Sequence, residues 1–204
     1  MRTERGSASV AVNGGEEDRR AQILRIATEL FREKGYHGTS LEDIADRVGF
    51  TKPAIYYYFD SKEDLLFAIV ERVVSRALER VQRIRAQGSP PLERMHAILV
   101  ENTRVVLEHI DENTAFYNER GLLSPERERM VRDIERAYTQ ILRDTYADGV
   151  RSGDLLDINP SIAVSTLLGA TIWVYRWFRP GGRLSIEEVA ESVADLLLNG
   201  YRAR

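Results

Sequence analysis

Apolar positions fall at helical spacing along almost the whole chain. Over residues 19–34 they are Ile23, Leu24, Ile26, Ala27, Leu30 and Phe31, one face of an amphipathic helix. Gly35 stands where a left-handed C-cap ends such a helix. Leu41, Ile44, Ala45 and Val48 make the buried stripe of a short second helix. Ser40 with Asp43 three residues on is its capping box, with Thr39 and Glu42 as the other register, and Gly49 breaks it. Thr51 can cap a third helix, where Pro53 is tolerated because first-turn N–H groups have no helical partner. Ile55 and Phe59 share one face of this helix, and Tyr56 and Tyr57 point elsewhere. Ser61 with Asp64 marks another start. From Leu65 through Ile69, Val73, Leu78 and Ile84 a long fourth helix keeps its period to about Gln87, where Gly88, Ser89, Pro90 and Pro91 end it.

The same pattern predicts helices over 92–110, 112–120, 124–152, 159–178 and 185 to 198 or 201. Ser124, Asn159 and Ser185 open the last three. No stretch alternates with period two between turn residues, so the fold class is all-α. The first 17 residues carry too little apolar surface to offset the entropy of ordering and read as a tail. Residues 18–66 are then expected to form a three-helix helix-turn-helix domain, and residues 67–204 a second helical domain.

Composition narrows the function. Among 204 residues, 29 Lys and Arg against 32 Asp and Glu give a net charge of −3. That excludes a wholly basic nucleic-acid coat but allows a local basic face. No run approaches the ~18 apolar residues of a membrane span, so no membrane association is expected. The polar start of the chain contains no signal-peptide core. With no cysteine, disulfide scaffolds, thiolate metal sites and cysteine catalysis are excluded, and a reducing cytoplasm is the expected location. His37, His96 and His109 are far apart and none lies in a metal-ligand pattern. The Glu and Arg residues over 126–143 read as a solvated face with i, i+4 pairing. Neither a catalytic site, a metal site nor a cofactor is expected.

Three short helices, the last two joined by a tight glycine turn, are the geometry of a helix-turn-helix. It requires the third helix to be held by one face and left bare on the other. Ile55 and Phe59 serve the core; Thr51, Lys52, Tyr56 and Tyr57 are left to project. Hydroxyls and an ammonium suit phosphate oxygens and base edges. Between Arg47 and Phe59 there are two basic residues and no acidic one. On composition alone, a bundle with the tyrosines in its core stands as the alternative.

The run from Thr39 to Leu66, with Tyr56, Tyr57, Phe59, Lys62 and Leu65 in order, resembles the N-terminal domain of the TetR/AcrR family of bacterial transcription repressors. The end of the preceding helix, Leu30 to Tyr36, is similar as well, and the resemblance covers about residues 19–70. It implies a homodimer that sets two recognition helices into successive major grooves of a near-palindromic double-stranded operator. Thr51, Lys52, Pro53, Ala54, Tyr56 and Tyr57 take the recognition positions, and Ser40 and Lys62 the phosphate positions. A helix N-terminus favours a phosphate there, and Lys62 adds a full charge. Many members have Gly where this chain has Pro53, which donates no hydrogen bond and can offer only apolar contact. Arg2, Arg5, Arg19 and Arg20 are candidates for a minor-groove arm, against a solvated tail.

Beyond Leu92 the resemblance is one of architecture. The family's last two helices usually form a four-helix dimer interface, and its second domain reads a small-molecule effector that tilts the fourth helix. The run Arg176 to Gly182 is similar to a signature of members that sense acyl-coenzyme A thioesters. Trp173, Arg176 and Trp177 are therefore candidates for the ligand, with interface or core packing as the alternative. Phe116, Tyr117 and Arg120 are a second ligand-binding candidate, against a solvent-facing helix with one packed aromatic. The function implied is a homodimeric repressor released by a small-molecule effector, with an acyl-coenzyme A thioester as candidate. An activator or architectural DNA-binder without sensing, and a small-molecule binding module without DNA binding, are the alternatives.

Overall fold

A computed structural model describes residues 8–201. Among them every regular element is a helix. In chain order these are α1 (Ala8–Lys34), α2 (Leu41–Val48), α3 (Lys52–Tyr58), α4 (Lys62–Ala86), α5 (Pro91–Glu108), α6 (Ile110–Glu119), α7 (Pro125–Arg151), α8 (Pro160–Trp173) and α9 (Ile186–Tyr201). Short 3-10 turns follow α6 at Arg120–Leu122 and α8 at Val174–Arg176. Residues 1–7 of the expected tail, with Arg2 and Arg5, lie outside the described residues; the rest of that stretch falls within the bounds of α1.

Side-chain capping explains the starts of α2, α4, α8 and α9. Ser40 and Asp43 form the full reciprocal box of α2: the Asp43 N–H donates to the Ser40 hydroxyl at 3.0 Å, and the Ser40 N–H to the Asp43 carboxylate at 2.8 Å. Ser185 and Glu188 repeat the arrangement ahead of α9. The Asn159 side chain accepts from the Ser161 N–H, and the Ser61 hydroxyl from the Asp64 N–H. Thr51 and Ser124 occupy N-cap positions without a side-chain cap bond, so their helices start on proline-set backbone geometry instead.

The chain divides into two compact units. One holds the chain up to Val70 together with Ala115–Leu123; the other holds Glu71–Thr114 and the chain from Ser124 on. The sequence implies a single cut after Leu66. Instead the apolar stripe of α4 runs through that point unbroken, and a distant segment joins the first unit. A buried stripe shows that a helix packs, not which helix it packs on.

In the first unit Ile23, Ala27, Leu30 and Phe31 of α1, Ile44 of α2, Ile55 of α3, Leu65 and Ile69 of α4 and Phe116 of α6 are buried. In the second, Met95, Ile98 and Leu99 of α5 pack with Tyr138, Leu142 and Tyr146 of α7, Val164 and Leu167 of α8, and Leu198 of α9. A smaller cluster joins Val106 and Leu107 to Val174 and Val189, with Tyr175 and Phe178 against it. Ion pairs line the same unit. Glu112 accepts from Arg72 at 2.5 Å and Arg76 at 2.8 Å, and Glu101 from Arg80 and Arg104.

Candidate nucleic-acid interface and sensing residues

α3 is held by one face. Ile55 has no exposed surface and Phe59 only 4%, whereas Tyr56 is 47% exposed and Tyr57 71%. Thr51, Lys52 and Pro53 are also exposed, and Ala54 is half-buried. The alternative that places Tyr56 and Tyr57 in the core is thereby excluded. The third tyrosine, Tyr58, is half-buried and stands edge-on to Tyr57. Because the Thr51 hydroxyl does not cap its helix, it is available to a ligand.

The turn that presents α3 depends on Gly49. It adopts φ 80° and ψ 29°, and its N–H donates to the Ala45 carbonyl at 3.0 Å. This left-handed conformation lets the chain reverse between α2 and α3 at no cost in Cβ strain.

The basic residues around α3 have acidic neighbours that the local sequence does not suggest. Lys52 Nζ is 3.5 Å from a Glu42 oxygen, and Arg47 is 3.3 Å from Glu33. Both are exposed pairs, weak enough to exchange for phosphate. Asp43 sits at the start of α2, bonded to Ser40 and to Lys34 at 2.9 Å. Its hydrogen bond from Ser40, then that from Lys34, holds its carboxyl far below the usual carboxylate range. Arg20 lies over the Phe59 ring at 4.9 Å, which sets a cation beside the end of α3.

Two expected phosphate contacts are engaged within the protein. The Ser40 hydroxyl belongs to its capping box. Lys62 turns inward, its Nζ donating to the Tyr36 carbonyl at 2.7 Å and the Thr39 carbonyl at 2.8 Å. No local pattern signals the Lys62 bonds.

The two candidate ligand clusters fall in different compact units. Phe116, Tyr117 and Arg120 belong to the first. Phe116 is 3% exposed, meets Tyr117 edge-on at 4.6 Å, and carries the Arg120 guanidinium over its ring at 4.9 Å. Phe116 thus packs into the first unit, with Tyr117 and Arg120 half-buried beside it.

Trp173, Arg176 and Trp177 belong to the second unit and are exposed. Trp173 shows 59% of its surface and Trp177 50%, so neither belongs to the core of its unit. The Arg176 guanidinium lies 5.6 Å from the Trp173 ring and 5.8 Å from the Tyr175 ring. The expected α-helix to 178 stops at Trp173 and tightens into the 3-10 turn, so the two tryptophans are not simply one α-turn apart. The tightening precedes Pro180, Gly181 and Gly182, where Gly181 takes φ 76°. Ile162 and Leu196, 63% and 74% exposed, add apolar surface on α8 and α9.

Inside the second unit a polar thread crosses three helices, which periodicity does not reveal. Tyr138 donates to Asn102 at 3.1 Å, and Asn102 donates to Thr171 at 2.7 Å. Beside it a cavity of about 20 Å³ is lined by Ala77, Val81, Ile98, Val105, Arg80 and Tyr138. That volume holds a water at most, so a larger guest must part α4, α5 and α7. Among the described residues no group of His, Asp and Glu has metal-site geometry, and no helix is long and apolar enough to cross a membrane.

Two family models match the chain. Residues 23–69 match the bacterial regulatory proteins of the tetR family, and residues 88–201 match the tetracyclin repressor-like C-terminal domain. Among similar proteins, the HTH-type transcriptional repressor KstR2 of Rhodococcus jostii is 28% identical, over 91% of this chain and 92% of its own. A crystal structure of a TetR/AcrR-family transcriptional regulator from Thermobifida fusca is 62% identical. It covers 91% of this chain and 99% of its own, with a TM-score of 0.73. The structure of AibR in complex with isovaleryl coenzyme A and operator DNA is 29% identical. It covers 90% of this chain and 97% of its own, with a TM-score of 0.76.

Proposed function

The chain belongs to the tetR family of bacterial regulatory proteins, and from that premise we propose that it is a ligand-responsive repressor, binding a palindromic operator as a homodimer and released by an acyl-coenzyme A thioester. The observation that carries the DNA reading is the division of α3. Ile55 and Phe59 anchor it while Thr51, Lys52, Pro53, Tyr56 and Tyr57 face solvent. Phenol and threonine hydroxyls can bond base edges or phosphates, and Lys52 can leave its exposed pair with Glu42 for a phosphate. The chain then works in the cytoplasm, where its operator is.

The homodimer reading is supported by the exposed apolar residues of α8 and α9. Ile162 and Leu196 are too exposed for a helix pair that ends in water, and a second copy of the same pair would cover them. The effector reading is supported by a relative of similar length whose structure holds isovaleryl coenzyme A together with operator DNA. In this chain Trp173 and Trp177 offer flat apolar surface, and Arg176 a cation beside it for the anionic part of a thioester.

Fluorescence anisotropy with a labelled palindrome from upstream of the gene tests both parts. Operator binding in the range of about 10⁻⁸ to 10⁻¹¹ M at physiological salt is expected. Acyl-coenzyme A thioesters are expected to release it. Absence of binding at moderate salt overturns the repressor reading. Binding that no thioester relieves overturns the effector class alone.

A further inference from the structure

Lys62 opens α4 and directs its ammonium back onto the turn between α1 and α2. Two carbonyls of that turn, Tyr36 at 2.7 Å and Thr39 at 2.8 Å, accept from Nζ. The Tyr36 ring lies on a further side, with its centroid 4.2 Å away. An ammonium has three donors, so two carbonyls and a ring face leave little for an outside anion. Both bonds are charge-assisted, the stronger kind. Burial holds the Lys62 pKa below the usual lysine value, as befits an ammonium withdrawn from water.

The turn it grips is tied from other sides as well. The Thr39 hydroxyl lies 2.9 Å from the Gly35 carbonyl, and the Tyr36 N–H donates to Glu119 at 3.4 Å. The Tyr36 ring packs against Phe31 at 5.3 Å. Thr39 is followed directly by Ser40, the N-cap of α2. Whatever fixes the Thr39 carbonyl therefore fixes where α2 begins, and α2 leads through Gly49 into α3.

We propose that Lys62 is a positioning residue for DNA recognition, clasping the turn at Tyr36 and Thr39 so that α2 and α3 are held in their operator-binding placement, rather than a phosphate contact. The inference rests on the DNA-binding function proposed above. Lys62 acts before DNA arrives, through carbonyls of its own unit.

Salt dependence separates the two roles. Each phosphate neutralised by a lysine adds about 0.9 to the slope of log affinity against log salt. Lys62→Met keeps the aliphatic stem and removes the donors. Operator and scrambled duplexes are titrated by anisotropy across a salt series, well below the melting temperature. The variant is expected to bind the operator about tenfold more weakly, with the wild-type slope and unchanged affinity for scrambled duplex. A slope reduced by about one phosphate overturns the proposal. So does wild-type operator affinity, which is what a residue serving stability alone would leave.

Lys62→Arg guards against a Met variant that does not fold. A planar guanidinium keeps the charge and reaches a phosphate well, but cannot reproduce the compact three-sided contact. Weaker operator binding is expected, and retained affinity overturns the clasp. Wild-type protein that binds no palindrome instead overturns the DNA reading, and the clasp with it.

Discussion

Tyr57 meets Tyr58 edge-on, with ring centroids 5.0 Å apart, and still leaves 71% of its surface in solvent. The neighbouring ring gives Tyr57 a backstop without covering it. A braced aromatic ring loses little conformational freedom when it enters a groove. Tyr57→Ala is therefore expected to weaken operator binding by about 1–3 kcal/mol. Fold and melting temperature should hold, because most of the side chain lies outside the core. Anisotropy titration against the wild type measures this, and equal affinities would take Tyr57 out of the interface.

Gly49 supplies a second prediction. With φ 80°, its backbone is in the region that disfavours any Cβ, yet an added Cβ would meet nothing within 4 Å. The cost of Gly49→Ala is then purely conformational, about 1–2 kcal/mol. Urea unfolding followed by circular dichroism should show a lower midpoint with an unchanged slope. A midpoint equal to the wild type would mean that the turn can relax elsewhere.

These two residues belong to the part of the site that local sequence makes legible. Ile55 and Phe59 stand four residues apart, and that spacing alone separates the buried face of α3 from Tyr56 and Tyr57. Ser40 and Asp43 likewise announce the start of α2 within three residues. Contacts that join distant stretches leave no such trace. Lys62 reaches Tyr36 across 26 residues and Glu119 reaches Tyr36 across 83, so neither partnership shows in periodicity. The 3-10 turn Val174–Arg176 was hidden for another reason. Over three residues, periods of 3.0 and 3.6 place side chains almost alike. The assignment of Phe116 to the first unit also depends on tertiary packing, since its stripe fits a pocket wall as well as a core.

Leu196 tests the dimer. It projects from α9 with 74% of its surface exposed, on the element expected to pair with a second copy. Leu196→Glu puts a charge on that face without disturbing the protomer core. The variant is expected to be monomeric by sedimentation at micromolar concentration and to lose most operator affinity, because one recognition helix reads half a palindrome. A dimeric Leu196→Glu protein would move the interface away from this face of α9.

Arg176 distinguishes sensing from assembly. Its guanidinium rests beside Trp173 and Tyr175, and it is exposed. Arg176→Met retains much of the apolar contact and removes the cation. The expected result is a dimer of normal size that binds the operator as the wild type does but needs more acyl-coenzyme A for release. A monomer on sizing would assign Arg176 to the interface instead.

His109 links stability to pH. It closes α5, and its carbonyl accepts the Asn113 backbone N–H at 3.0 Å and side-chain N–H at 2.9 Å. Burial is the largest influence on the imidazole and lowers its pKa from 6.5; Arg76 and Arg80 of α4 push the same way, and Glu112 and Glu108 oppose them. The folded protein thus keeps His109 neutral at a pH where the unfolded chain has begun to bind a proton. Below about 6.5 the unfolded state holds more protons, so stability falls as pH falls, until the folded pKa is passed. His109→Gln removes this contribution and leaves every other titrating group in place. The stability of the wild type relative to the variant should decrease between pH 7.5 and 5.5, measured by urea unfolding at each pH. A difference that stays level or grows toward acid would show that the two carboxylates outweigh burial at this imidazole.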